Sequence, residues 1–200
     1  VKKGDIVAVE SSPGHDVGVV SLTGELVMLQ MKRKKVNFEK ERPKKIYRIA
    51  KPTDVSKWEK AISREKQTLE KAKIIVKQHK LEMKLSNVEY QGDNTKAIFY
   101  YTAEKRVDFR ELIKAFSKKF MIRIEMRQIG ARQEAAKLGG IGSCGRELCC
   151  STWMTEFPSV STSAVRYQQL SINPQKISGQ CGRLKCCLNF ELEGYLEALS

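Results

Sequence analysis

All six cysteines of this 200-residue chain fall between positions 144 and 187. They form two copies of one pattern, G-x-C-G-R-x-x-C-C. The first copy is Gly142-Ser143-Cys144-Gly145-Arg146-Glu147-Leu148-Cys149-Cys150. The second is Gly179-Gln180-Cys181-Gly182-Arg183-Leu184-Lys185-Cys186-Cys187, with 30 residues between Cys150 and Cys181. Thiols bunched in this way bind metal, pair as disulfides or exchange electrons. Structural disulfides belong to oxidising compartments and to domains too small to build a core, and adjacent cysteines bond to each other only with strain. Zinc takes four thiolates or imidazoles, usually in C-x₂₋₄-C loops, so four of the six would serve and two would stand idle. An iron–sulfur centre accepts four-residue gaps between thiolates. It also gives the remaining motif residues work: Gly145 and Gly182 let the backbone approach closely, and Arg146 and Arg183 offset the thiolate charge. Iron–sulfur is therefore the expected cofactor and zinc the alternative. Six thiolates complete one four-ligand site with two left over, or two sites each lacking a ligand that a partner chain, another copy or a small molecule would supply.

No Ser/His/Asp set, paired carboxylates or phosphate-binding loop accompanies the cysteines. The two histidines, His15 and His79, lie far from both motifs. Acid–base catalysis has few candidates here, and the chain is expected not to be an enzyme.

Charge is partitioned along the same line as sulfur. The chain holds 37 Lys+Arg against 23 Asp+Glu, a net charge of +14, yet residues 141–200 hold five of each. The whole excess lies in residues 1–140, where Lys32, Arg33, Lys34, Lys35, Lys44 and Lys45 are a candidate grip on nucleic acid or an acidic protein surface. No run approaches the ~18 apolar residues of a membrane span.

The elements that position these residues follow from periodicity. Asp5–Glu10, Gly18–Leu22 and Leu26–Gln30 read as three short strands with tight turns, a small barrel-like lobe over residues 1–50. Thr53 to Lys80, within residues 51–80, reads as one long helix carrying Val55, Trp58, Ile62, Leu69, Ala72, Val76 and His79, with Ser56 and Glu59 in capping-box spacing. Residues 81–140 read as an antiparallel α+β lobe. Strands 84–90 and 97–101 flank the turn Gln91–Asn94, a helix runs from Val107 to Phe116 with Asp108 as N-cap, a strand spans 120–127, and a short helix Ala131–Leu138 stops at Gly139-Gly140. Residues 141–200 form the cysteine platform, with short helices near 164–170 and 190–199. The fold class is α+β.

Several of these stretches together carry a resemblance. Gly4-Asp5-Ile6-Val7-Ala8-Val9-Glu10, Val107–Leu112, Arg127-Gln128-Ile129-Gly130-Ala131-Arg132, Gly139–Gly142, Ser171–Gly179 and both cysteine motifs resemble the bacterial YaaT/RicT family, with its polymerase-suppressor (PSP) C-terminal domain. The resemblance implies a cytoplasmic, non-catalytic regulator. It implies [4Fe–4S] clusters held by cysteines of this kind, some supplied by helical partners of the YlbF and YmcA type. It also implies a complex that works with endoribonuclease Y in RNA processing and influences sporulation. The Lys32–Lys45 segment and the Lys-rich helix depart from the family's usual pattern, and they leave direct RNA contact through residues 1–140 as a further expectation.

Overall fold

The computed structural model describes residues 1–34, 36 and 42–199, which divide into two compact units, Val1–Gln128 and Ile129–Ser200. Lys35 lies outside the described residues.

The first unit begins with β1 (Ile6–Glu10) and β2 (His15–Val19), paired antiparallel with Ala8 opposite Val17. The helix α1 (Glu25–Arg33) follows, and β3 (Ile46–Ile49) returns to the free side of β1. The order β2-β1-β3 is an open three-stranded sheet, not a closed barrel. The expected third strand, Leu26–Gln30, lies inside α1. Four of its five residues are the unbranched or γ-branched types that keep rotamer freedom in a helix, and only Val27 is β-branched.

The long helix is α2 (Pro52–Gln78), which buries Asp54, Ala61, Thr68, Ala72 and Val76. It starts earlier than the expected Ser56/Glu59 box. Pro52 opens it, and Asp54 accepts a 2.8 Å hydrogen bond from the Lys51 amide. Beneath α2, β4 (Lys84–Tyr90) and β5 (Lys96–Thr102) form the expected antiparallel hairpin, with Val88 opposite Phe99. Then α3 (Arg110–Phe120) crosses over to β6 (Arg123–Gln128), which lies parallel to β5. The sheet β4-β5-β6 is therefore mixed where an all-antiparallel one was expected. A helical crossover covering one face returns the chain in the same direction, so the pairing runs parallel. Asp108 lies one residue before the cap position but still accepts from the Arg110 amide at 3.1 Å. The core joins Ala72 and Val76 of α2, Leu85, Val88, Phe99 and Tyr101 of the sheet, and Leu112 and Phe116 of α3. Phe99 sits 4.7 Å from Phe116 and 5.9 Å from Phe120, centroid to centroid.

The second unit contains six short helices: α4 (Ala131–Leu138), α5 (Cys149–Thr152), α6 (Thr162–Tyr167), α7 (Pro174–Ile177), α8 (Cys186–Phe190) and α9 (Leu192–Leu199). It thus includes α4, which sequence periodicity grouped with residues 81–140. Its buried core is small, formed by Ala164, Val165, Ile177 and Leu188. Among the described residues, no helix is long and apolar enough to cross a membrane.

Candidate metal centre

The two cysteine motifs fold into the same turn, each position 37 residues after its counterpart. In the first, the Gly142 amide donates to Arg146 O at 2.8 Å, Gly145 to Gly142 O at 2.9 Å and Leu148 to Gly140 O at 3.0 Å. In the second, Gly179 donates to Arg183 O at 2.8 Å, Gly182 to Gly179 O at 2.9 Å and Lys185 to Ile177 O at 2.9 Å. Gly145 has φ +79° and Gly182 φ +71°, values that a Cβ makes costly, so glycine is required where each loop reverses. A one-residue bridge closes each turn, Ile141 with Glu147 and Ser178 with Leu184. A short helix then begins at the vicinal pair: Cys149-Cys150 open α5 and Cys186-Cys187 open α8.

Two contacts hold the turns against each other. The Gln180 side-chain amide donates to Ile141 O at 3.1 Å. Trp153 and Phe190 meet edge to face at 4.8 Å. These aromatics occupy equivalent positions of the two repeats, and contact between equivalent positions is what an isologous, two-fold arrangement produces.

Between the turns lies a cavity of about 460 Å³, and all six cysteines line it. None is in a disulfide; Cys144 is exposed and the other five are partly buried. Burial pushes the Cys186 thiol up; the Arg132 guanidinium pulls it partly back, and Cys181, Cys150 and Cys149 add to the rise. Burial also raises Cys187, with Glu191 contributing and Lys185 opposing. Thiols from both motifs thus act on one another across the cavity.

The donor set is all sulfur, as an iron–sulfur cluster or a thiolate zinc site requires. Among the described residues, no three His, Cys, Asp or Glu side chains converge on one ion position. The all-thiol lining of the cavity fits an iron–sulfur cluster.

The other expected site residues are placed differently. Gly145, Arg146, Gly182 and Arg183 are exposed and do not line the cavity; the two arginines serve the turns through their carbonyl groups. The cations lining the cavity are Lys185, inside the second motif, and Arg132 of α4, which spacing alone did not single out. Its only sequence signal was membership of the Arg127–Arg132 stretch that carries the family resemblance. Lys32 and Arg33 end α1, Lys34 follows it, and Lys44 and Lys45 precede β3; all five are exposed in the first unit. His79 follows α2, and His15 lies in β2, its Nε2 3.7 Å from Asp54.

Known proteins align with the chain in two blocks. The PSP1 C-terminal conserved region matches residues 44–129, and the third domain of PSP1-like proteins matches residues 159–200. The first cysteine turn lies between these blocks. Stage 0 sporulation protein YaaT of Bacillus subtilis is 52 % identical over 118 residues, 59 % of this chain and 43 % of that protein. An uncharacterized protein of Schizosaccharomyces pombe is 40 % identical over 84 residues, 42 % of this chain and 11 % of its own length. Protein PSP1 of Saccharomyces cerevisiae is 49 % identical over 45 residues, 22 % of this chain and 5 % of its own. The chain thus spans less than half the length of each of these relatives. No solved structure matches it.

Proposed function

The chain belongs to the PSP1/YaaT family, and on that premise we propose that it is a non-catalytic regulatory subunit that binds an iron–sulfur cluster. The observation that carries this reading is the placement of all six cysteines, from two copies of one turn, around a single cavity. Cys144, Cys149, Cys150, Cys181, Cys186 and Cys187 are the ligand set, from which four suffice for one cluster. When bound, such a cluster supplies a redox-active, oxygen-sensitive centre. The chain's own contribution is geometric. The glycine reversals aim Cys144 and Cys181 inward, and α5 and α8 present the vicinal pairs. Gln180 and the Trp153–Phe190 contact fix the spacing between the two sets.

The regulatory part of the proposal follows the family. The Bacillus subtilis relative is named for stage 0 of sporulation. We assign this chain an adaptor role. It would join partners of the YlbF and YmcA type and influence RNA processing by endoribonuclease Y, with a [4Fe–4S] cluster as the group that couples assembly to redox state. Thiols beyond the first four leave room for a cluster completed jointly with a partner.

Purification without oxygen tests the reading. A brown protein with broad visible absorption that bleaches in air supports it. A colourless protein with stoichiometric zinc overturns it and favours the second reading, a nucleic-acid-binding module with a structural zinc site. That reading draws on the net charge of +14, carried wholly by residues 1–140. It predicts retention of the isolated chain on RNA that weakens steeply with salt.

A further inference from the structure

Arg132 brings a positive charge held by two hydrogen bonds to the cavity that the cysteines line. Two of its three guanidinium nitrogens are committed to backbone carbonyls. Nη1 donates to Pro158 O at 3.2 Å, and Nη2 donates to Leu184 O at 3.3 Å, two residues before Cys186. Nε is buried and finds no acceptor among the described residues. A buried N–H without an acceptor is costly, the more so on a cation. The side chain lines the cavity together with Ala135, one turn further along α4, and with all six thiols.

The surroundings strengthen the point. Arg146 and Arg183 are exposed and do not line the cavity, so neither compensates its charge from within. Lys185 lines the wall beside Cys186 and Cys187, and Glu147 adds an opposing negative charge. Several thiolates converging on one space repel one another, and their repulsion is strong where burial excludes water. A guanidinium pinned at two nitrogens cannot turn away, so its charge is preorganised.

Resting on the iron–sulfur reading, we propose that Arg132 is a positioning residue for the cluster: its fixed guanidinium offsets the charge of the thiolate-bound group. The residue stabilises the more negative, reduced form most, because that form carries the larger charge. Removing the cation therefore lowers the reduction potential and loosens the metal.

Three proteins test this, all purified without oxygen: the unaltered chain, Arg132→Gln and Arg132→Lys. Each is assayed for iron per chain, for the rate of iron release to a ferrous chelator, and for midpoint potential. The unaltered chain is expected to hold iron. Arg132→Gln is expected to release it roughly tenfold faster. A tenfold loss in preference for the reduced state would lower its one-electron potential by about 59 mV. Arg132→Lys, which keeps the charge but not the fork, is expected to recover most of the potential. Hydrogen-exchange protection at Val165 and Leu188 reports whether the unit is folded. If Gln unfolds it while Lys keeps both fold and potential, the requirement for charge is upheld. If Gln behaves as the unaltered chain, or if Lys and Gln fail together, Arg132 merely ties loops and the inference is overturned. Absence of iron from the unaltered chain overturns the iron–sulfur reading, and this inference with it.

Discussion

The two units of the chain reach a defined structure by different means. In Val1–Gln128, α2 and α3 cover a sheet whose inner residues, Leu85, Val88, Phe99 and Tyr101, are almost wholly buried. Three aromatic rings, Phe99, Phe116 and Phe120, interlock at its centre. Among the described residues of Ile129–Ser200 the buried core cluster is four side chains, Ala164, Val165, Ile177 and Leu188, and no helix exceeds eight residues. Helices that short do not persist on their own, and so small a core leaves little to offset chain entropy. The first unit is held by apolar burial, while the second spends its most specific residues lining a cavity. The proposed cluster would stabilise a unit built that way.

The largest expected effect is that of metal removal. Chelation under reducing, oxygen-free conditions is expected to bring amide exchange at Ala164, Val165, Ile177 and Leu188 to within ~10-fold of the unfolded chain. Exchange at Phe99 and Phe116 is expected to stay as slow as before. Equal loss of protection in both units would break the contrast.

Phe99→Ala attacks the other side. It removes a fully buried ring and is expected to cost about 3–5 kcal/mol in denaturant unfolding of the first unit. Iron per folded chain is expected not to change.

Glycines sharpen the comparison at a smaller scale. A Cβ on Gly92 would lie 2.7 Å from the Val17 amide nitrogen, so packing forbids it, and Gly92→Ala is expected to cost about 1–3 kcal/mol. A Cβ on Gly145 meets nothing within 4 Å, so only its φ of +79° resists substitution. Gly145→Ala is expected to cost about 1–2 kcal/mol, felt as weaker metal retention. Thermal melts and chelator-release rates separate the two.

The smallest effect concerns acid. Asp54 is buried against the Arg48 guanidinium and the Lys51 amide, and these hold its carboxyl well below the usual carboxylate range, with His15 adding a little. A carboxylate whose pKa is lowered by folding contributes stability above its unfolded value of about 3.9 and loses it as pH falls further. Unfolding of the first unit is therefore expected to ease below about pH 4, with this group's contribution full and constant between pH 7 and 5. The Asp54→Asn variant is expected to show a shallower acid slope.

Much of this contrast was legible in the sequence, and the missing parts share a cause. The β4–β5 hairpin stood out because its alternation and its Gln91–Asn94 turn are local. The long helix stood out because Leu69, Ala72 and Val76 repeat at helical spacing. Its first half was misplaced by one position: Ala61 is buried and Ile62 is exposed, because the larger residue drew the stripe. The helix α1 was hidden by an apolar run too short to distinguish helix from strand. The parallel β5–β6 pair depends on which face α3 covers, and no local pattern records that. In the second unit the repeat itself revealed the twin turns, since each is closed by its own residues. Arg132 was not legible as a cavity residue, because only the fold carries α4 to the second turn. Arg146 and Arg183, adjacent to cysteines in sequence, do not line the cavity.

The central claim is that the cysteine cavity holds an iron–sulfur cluster. Its most direct test is the count of iron, acid-labile sulfide and zinc per chain in oxygen-free protein, for the unaltered chain and for Cys149→Ser with Cys186→Ser. The expected result is iron and sulfide in near-equal number in the unaltered chain, with both lost from the double variant. One zinc per chain without sulfide, or no metal at all, would contradict the account.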